Sequence, residues 1–276
     1  MPYITNKREK ETVDIFYEDY GEGQPVILIH GWPLSSKAWE QQRWKIIEEG
    51  YRCISYDRRG FGRSSAPWDS YDYSTLASDL AELINQLDLK DAVLVGFSMG
   101  GGEVVRYLTD FGSDKIAKAA LISSIIPLVK QKDDNPDGVP EEDIQGILDA
   151  LQSNRVAFLN DFHKNFYNYE DNKDTVKIQN LGYDFNIASS ASPRATIQAA
   201  IAWADTDFRS ELKNVTVPTL IVHGDADNIV PIETAGNQAA KGIKDNTFKV
   251  VKDGPHGLNL THANELNTYL IDFLKS

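Results

Sequence analysis

Hydrophobic and polar positions follow two different patterns along this chain. Continuous apolar runs such as "PVILIHG" and "DAVLVGFS" predict strands covered on both faces, whereas "TLASDLAELINQLDL" places its apolar residues at the spacing of an amphipathic helix. Strand and helix patterns alternate in this way as far as Pro127. This alternation predicts a mainly parallel central sheet with helices on both faces.

The alternation stops after Pro127. Residues 128–140, "LVKQKDDNPDGVP", hold prolines and charges, and the patterns that follow are helical and rich in aromatic residues until about Val217. The sheet resumes with "TLIVHGDAD", followed by a helix at 232–242, a strand in "TFKVVKDG" and a closing helix in "HANELNTYLIDFLK". We therefore predict a core formed by residues 1–127 and 211–276, with a helical cap, residues 128–210, inserted between strands.

Composition narrows the possible functions. The 276 residues are 41% hydrophobic, enough for one large core, and carry a formal net charge of −13 from 41 acidic and 28 basic residues. No cluster of Lys and Arg is present, which argues against nucleic acid and anionic membranes as partners. The first residues, "MPYITNKREKET", hold no apolar signal region, and no apolar run approaches the ~20 residues of a membrane span. We expect a soluble cytoplasmic protein.

Cysteine and histidine usage excludes two further site types. Cys53 is the only cysteine, so no intrachain disulfide can form, and its apolar neighbours predict a small core residue. The five histidines are scattered without an H-x-x-x-H pair, so we expect no metal site.

The segment "GFSMG", Gly96–Gly100, carries the first chemical signal. It fits the pattern G-x-S-x-G between a predicted strand and a predicted helix, a context in which a sharp turn exposes the serine at the carboxyl end of the sheet. Ser98 is the candidate nucleophile, and the Met99 N–H lies at a helix N-terminus, where anions are stabilised. The alternative is a packing turn in which Ser98 only caps the helix.

A nucleophilic serine needs a base, and the base needs an orienting acid. His256 follows the last predicted strand, and Asp225 and Asp227 follow the preceding one, so loops can bring them to the same sheet end as Ser98. We favour Asp227 as the acid, because Asp225 is closer to the strand end and suits a turn-bracing role. We expect structural roles for His163 and His223, of which His163 could instead line the pocket, and a surface or helix-capping role for His262.

The reaction also requires hydrogen-bond donors where negative charge develops. Met99 N–H is one, and the loop "HGWPLSSKAW" should supply the second. Trp32 N–H is our candidate, because Gly31 allows the backbone to approach the site; a packing loop with a core tryptophan is the alternative. We expect a small apolar pocket suited to a short acyl group, walled by Trp32 and five further residues: Pro33, Phe162, Trp203, Ile229 and Val230.

Five segments together resemble the α/β-hydrolase superfamily: "HGWPLSSKAW", "YDRRGFGRSS", "GFSMGGGEVVRY", "HGDADNIVP" and "GPHGLN". They are most similar to its cofactor-free (non-haem) haloperoxidases, perhydrolases and aryl esterases. The resemblance spans about residues 12–275 and is weakest across 128–210. By motif it implies Ser98 as nucleophile, Asp227 as acid, His256 as base, and Trp32 with Met99 as oxyanion donors. The "DRRGFGRSS" segment matches a structural turn of the superfamily and lacks the third glycine of a dinucleotide loop.

The resemblance implies an activity and its partners. Enzymes of this group hydrolyse small esters, and with hydrogen peroxide they make peracids from carboxylic acids; the peracid then oxidises halide. No cofactor or metal is implied, and the expected partners are a small ester or carboxylic acid plus H₂O₂. Related enzymes assemble as trimers or larger rings, so a homo-oligomer is expected on the same basis.

Pro33 distinguishes members of this group. By resemblance, proline at this position accompanies the peroxidase and perhydrolase members rather than the plain esterases. A proline restricts the backbone of the residue before it, here Trp32. The hypothesis is that Pro33 directs the Trp32 carbonyl to accept a hydrogen bond from peroxide; a proline that only stiffens the loop is the alternative.

The same residues bear on other functions of this fold. Haloalkane dehalogenases and epoxide hydrolases share the "HGWP" loop but need an aspartate nucleophile, and position 98 is serine. Lactonases, γ-lactamases and carbon–carbon bond hydrolases keep the serine triad and stay open. A non-catalytic ligand receptor on this fold is disfavoured by the complete triad and both oxyanion positions.

Overall fold

The computed structural model describes residues 2–7 and 12–276. The strands are β1 (Tyr3–Asn6), β2 (Val13–Tyr20), β3 (Pro25–Ile29), β4 (Arg52–Tyr56), β5 (Ala92–Phe97), β6 (Ile116–Ile122), β7 (Thr219–Gly224) and β8 (Asn246–Val251). The α-helices are α1 (Glu40–Glu48), α2 (Tyr73–Gln86), α3 (Met99–Phe111), α4 (Glu141–Phe166), α5 (Ile178–Ser189), α6 (Pro193–Asp205), α7 (Gly236–Gly242), α8 (Leu258–Thr261) and α9 (Ala263–Lys275). Short 3₁₀ helices lie at Ser36–Trp39 and Leu212–Asn214.

The strands form one sheet in the order β1-β2-β4-β3-β5-β6-β7-β8. β1 and β2 pair antiparallel, as do β2 and β4, and the strands from β4 through β3 to β8 run parallel. This confirms the predicted mainly parallel sheet. The carboxyl ends of β5, β7 and β8 therefore meet at one edge, which is where parallel sheets of this class place their ligand sites.

The sheet is covered on both faces, as predicted. Alternate residues of β3 belong to different cores: Ile27 and Ile29 pack with residues of α2 and α3, whereas Val26 and Leu28 pack with residues of α1 and α9. Side chains of a strand alternate between faces, so one apolar run supplies both cores. Cys53 is buried in the second of them, and burial raises the pKa of its thiol to about 12, in keeping with the predicted core role.

One predicted helix and one strand that was not predicted separate the sequence analysis from the structure. The helix expected at 232–242 is shorter, because residues 232–235 form turns and the backbone of Ala235 is not helical. β1, a four-residue strand, has no recognisable pattern in the sequence; among the described residues it pairs with β2 alone. In the described residues, no helix is both long and apolar enough to cross a bilayer.

Three helices, α4 to α6, lie between β6 and β7 in the chain, within the segment that the sequence predicts to be a cap. α4 is interrupted at Asn154, whose backbone is non-helical (φ −154°, ψ 75°) and whose Oδ1 accepts the Ala157 N–H at 3.1 Å. The second half of α4 therefore begins at its own capping residue. The division into core and cap domains stays a prediction.

A buried ion pair braces the loop after β3. Arg58 Nε donates to Glu103 Oε1 (2.5 Å), and both side chains are at most 1% exposed. The same guanidinium donates to the His30 carbonyl oxygen (2.5 Å), and the Arg58 backbone N–H donates to His30 Nε2 (2.9 Å). Burial and the nearby Arg58 charge hold the pKa of His30 well below its usual range, so its Nε2 stays an acceptor. These contacts fix the residue that precedes Gly31 and Trp32.

Replacing Glu103 by alanine is expected to lower the free energy of unfolding by about 3–5 kcal/mol, because it leaves the Arg58 charge buried without its partner. Urea unfolding measures the change. Asp88→Asn is the control: its pair with Lys90 spans 3.7 Å between side chains that are 80% and 74% exposed, and its loss should cost under about 0.5 kcal/mol. Equal effects of the two substitutions would contradict the assigned role of the buried pair.

Candidate active site

Ser98 sits on a sharp turn between β5 and α3. Its backbone has φ 53° and ψ −120°, a conformation rare for a residue with a side chain, and its N–H donates to the Ile122 carbonyl at the end of β6 (2.9 Å). An added Cβ at Gly96 would lie 2.6 Å from the Gly100 carbonyl oxygen, so this turn requires glycine there. The strained turn places the Ser98 hydroxyl in a pocket at the carboxyl edge of the sheet.

The structure brings together the three side chains proposed as a triad. Ser98 Oγ lies 2.9 Å from His256 Nε2, and His256 Nδ1 lies 2.7 Å from Asp227 Oδ2. Because an ionised carboxylate only accepts, His256 must carry its proton on Nδ1, which leaves Nε2 free to accept the Ser98 proton. The imidazole is buried and flanked by Phe97 and Phe166, with ring centroids 5.3 and 4.9 Å away.

Asp227 is held as an ion by several donors. Its Oδ1 accepts the backbone N–H groups of Ile229 (2.9 Å) and Val230 (2.8 Å), while Oδ2 faces His256 and lies 3.3 Å from His223 Nε2. Burial of the carboxylate acts to raise its pKa, but the interactions with His256 and His223 outweigh this and hold the pKa of Asp227 below its usual range. A carboxylate that stays ionised can orient His256 and stabilise its charged form.

Asp225, His163 and His262 make their hydrogen bonds outside the triad. Asp225 is exposed, and its Oδ1 accepts the Asp253 N–H at 2.6 Å, a turn contact of the kind that its position suggested. His163 is buried in α4, where its Nδ1 faces the Leu159 carbonyl (3.1 Å) and burial lowers its pKa to about 4; it does not line the pocket. His262 lies at the start of α9 against Thr261.

Two backbone N–H groups are available beside Ser98. Met99 is the first residue of α3, and in the described part of the chain neither its N–H nor that of Trp32 has a hydrogen-bond partner. The Trp32 loop approaches Ser98 closely, since a Cβ added at Gly31 would lie 3.0 Å from Ser98 Cβ. The Trp32 indole is fixed from the other side by a hydrogen bond to the Thr196 carbonyl in α6 (2.9 Å).

The hydroxyl opens into a pocket of about 770 Å³. Four of the predicted wall residues besides Trp32 line it: Phe162, Trp203, Ile229 and Val230. The Trp32 ring packs against Phe158, Phe162 and Trp203, with centroids 5.3–6.4 Å apart. The aromatic walls beside the triad favour contact with the apolar part of an organic substrate.

Two expectations about the pocket are wrong. Pro33, joined to Trp32 by a cis peptide bond, is buried and does not line the pocket, because residues 31–34 turn away with the Leu34 N–H bonded to the Gly31 carbonyl (3.1 Å). The pocket is also not small: its volume falls in the upper part of the range of about 300–1,000 Å³ for ligand sites. The extra room comes from one long face of α4, which adds wall residues including Asp143, Ile147, Ala150 and Ala157. Acyl or alcohol groups much larger than acetate therefore fit.

Sequence reasoning missed two buried histidines that support the site. His30 was not considered, although it directly precedes the glycine of the Trp32 loop. His223 was assigned a structural role only, yet its ring reaches the triad acid. One signal for His223 is present in the sequence. It lies four residues before Asp227, near the end of the buried strand β7, which leads directly into the loop that carries Asp227 (residues 225–230, the acid loop).

The chain matches a known family along most of its length. A profile of the family described as alpha/beta hydrolase fold covers residues 24–263. A putative non-heme chloroperoxidase from Synechocystis is 44% identical over the whole of both chains. A bifunctional esterase/perhydrolase from Acinetobacter calcoaceticus is 37% identical, again over all of both chains.

Solved structures agree with these relatives. The bromoperoxidase from Bacillus anthracis superposes with a TM-score of 0.95 at 44% identity, covering 99% of this chain and all of that one. Fold and sequence thus point to one group of proteins. The chain belongs to the α/β-hydrolase fold family, among the members related to the non-haem haloperoxidases and perhydrolases.

Proposed function

We propose that this protein is a serine-dependent esterase and perhydrolase, which forms an acyl-enzyme on Ser98 and transfers the acyl group to water or to hydrogen peroxide. The observation that carries the proposal is the continuous hydrogen-bond chain Ser98–His256–Asp227, with distances of 2.9 and 2.7 Å, at the floor of an apolar pocket. The esterase/perhydrolase and haloperoxidase names of full-length relatives support the same chemistry.

Acylation begins with attack of Ser98 Oγ on the ester carbonyl. The Oγ proton passes to His256 Nε2 as the new carbon–oxygen bond forms, and the N–H groups of Trp32 and Met99 stabilise the oxyanion. His256 then gives that proton to the departing alcohol as its bond to the carbonyl carbon breaks. Each oxyanion donor typically contributes about 3 kcal/mol to lowering the barrier.

Deacylation repeats these steps with a different nucleophile. Water or H₂O₂ loses a proton to His256, attacks the acyl carbon, and Ser98 leaves with the proton returned from His256. Water yields a carboxylic acid, and H₂O₂ yields a peracid. In solution the peracid oxidises a halide by two electrons, giving hypohalous acid and the carboxylate. The acyl donor is a small uncharged ester or a protonated carboxylic acid; with the acid, the hydroxyl group takes the proton from His256 and leaves as water in place of the alcohol. No metal or organic cofactor takes part in these proposed steps.

A paired assay tests the proposal. Hydrolysis of short p-nitrophenyl esters measures the esterase step, and halogenation of monochlorodimedone with acetate, peroxide and bromide measures the peracid route. We expect halogenation to require acetate and to disappear in Ser98→Ala. Halogenation that persists without a carboxylic acid, or in the Ser98→Ala variant, would refute the peracid route.

Replacing Pro33 by leucine is expected to lower the ratio of peracid formation to ester hydrolysis by about tenfold, the value of one hydrogen bond. The proposed reason is that the proline ring restricts the Trp32 backbone and directs its carbonyl toward the incoming peroxide. Hydrolysis of the same ester by the same variant serves as the internal control. An unchanged ratio would leave Pro33 with a role in loop rigidity alone.

A further inference from the structure

We propose that His223 is a positioning residue for the triad: its Nε2–H joins the Asp227 carboxylate to the Val230 carbonyl and so fixes the acid that orients His256. This inference rests on the proposed function of the triad. His223 itself lies outside the pocket lining and touches neither Ser98 nor the space that a substrate would fill.

The contacts of the ring close a small cycle around the acid loop. His223 Nε2 lies 2.9 Å from the Val230 carbonyl oxygen and 3.3 Å from Asp227 Oδ2. The Val230 N–H in turn donates to Asp227 Oδ1 at 2.8 Å. Oδ1 of Asp227 is therefore bonded to the backbone of Val230. Oδ2, the oxygen that faces His256, lies next to the His223 ring, which itself bonds to the Val230 carbonyl.

The protonation state of His223 follows from its partners. A carbonyl oxygen can only accept, so Nε2 must carry a proton. Nδ1 is buried with no hydrogen-bond partner among the described residues, and it lies against Gly236, where even an added Cβ would come within 3.2 Å of it. A second proton there would be buried without an acceptor, which is costly. The Nε2–H therefore donates to the Val230 carbonyl at 2.9 Å, and the Asp227 carboxylate oxygen, at 3.3 Å, is its second and longer contact.

This donor has two consequences for the reaction. It restricts rotation of the Asp227 carboxylate, and a carboxylate displaced by about 1 Å can cost on the order of 100-fold in rate. It also draws electron density from the oxygen that faces His256, which weakens the hold of Asp227 on the charged imidazole. Among the described residues, the titratable side chains that act on Asp227 are His256 and His223.

Two variants and one measurement on the unmodified protein test the inference. His223→Phe keeps a planar ring without a donor, and His223→Gln places an amide N–H near the position of Nε2. For p-nitrophenyl acetate hydrolysis, we expect kcat of His223→Phe to fall about 10- to 100-fold with little change in KM. The acid limb of its pH profile should move to higher pH, because Asp227 loses its contact with His223 and interacts more strongly with a charged imidazole at 256.

His223→Gln should recover kcat to within about fivefold of the unmodified enzyme, since it restores the donor. Nitrogen-15 NMR of the unmodified protein should show that the His223 ring is neutral and protonated at Nε2. The His223 signals are assigned as those that disappear in the His223→Gln variant. A ring protonated at Nδ1 would contradict the proposal whether or not the variants fold. A His223→Phe variant with unchanged kcat and an unchanged pH profile would also contradict it. The same holds if kcat falls in both variants only in proportion to the fall in their melting temperatures.

Failure of the proposed function gives a different result. If the unmodified enzyme turns over esters no faster than Ser98→Ala, the triad assignment fails, whereas the NMR tautomer still reports on the His223 contacts. If Ser98→Ala is inactive and His223→Phe is fully active, the triad stands and the role of His223 is wrong.

Discussion

Alanine at position 98 is expected to lower kcat for p-nitrophenyl acetate hydrolysis by about a million-fold, to a residual rate supplied by the oxyanion donors and binding alone. The reason is geometric: Ser98 Oγ is the atom within 2.9 Å of His256 Nε2, so its removal leaves the base with no proton to take from the enzyme. Steady-state release of p-nitrophenol measures the loss, with enzyme concentration high enough to detect slow turnover.

Ser36→Ala is a matched control for the Ser98 substitution. The Ser36 hydroxyl is buried, lies outside the pocket lining and has no hydrogen-bond partner among the described residues, so its loss should leave kcat within about twofold. A Ser98→Ala enzyme that keeps more than a hundredth of the original rate would show that another group attacks the ester.

Asparagine at position 227 is expected to lower kcat by about ten-thousand-fold, the effect seen when a triad acid becomes an amide. The Ile229 and Val230 N–H groups donate to Oδ1 and will hold the amide oxygen there, so the amide NH₂ must face His256 Nδ1. His256 would then accept at Nδ1 and carry its proton on Nε2, where it can no longer accept from Ser98.

Asp225→Asn is the control for this second variant. An asparagine oxygen can still accept the Asp253 N–H, which lies 2.6 Å from Asp225 Oδ1, and the change should alter kcat by no more than about threefold. If the two asparagine variants lost activity equally, the choice of Asp227 over Asp225 would be wrong. The two assays need only the same ester substrate and a pH near neutrality.

The fold could be predicted from the sequence because its strands and helices have distinct periodicities. The continuous run of β3, for example, supplies alternate residues to two cores, which is what an apolar strand without polar gaps indicates. β1 could not be predicted, since its four residues form a strand through pairing with β2 rather than through a pattern of their own. The short α7 differs because a turn after Pro231 replaces its first residues.

The candidate site was predictable in part for the same reason. Ser98, Asp227 and His256 each follow a strand, and parallel strands end at one edge, so chain order alone predicted their proximity. The pocket volume was not predictable, because it depends on which face of α4 turns inward and on the break at Asn154. The contact of His223 with Asp227 was equally hidden, since it depends on how the acid loop turns back on its strand.

The central claim is that an acyl group is carried on Ser98 during turnover. Acid quenching during reaction with a p-nitrophenyl ester, followed by proteolysis and mass spectrometry, tests it most directly. We predict that the peptide containing Ser98 gains the mass of one acyl group, located at that serine, and that Ser98→Ala shows no such gain. Two results would contradict the account. One is an enzyme that releases p-nitrophenol in a burst but yields no acylated peptide; the other is an acyl group located at a different residue.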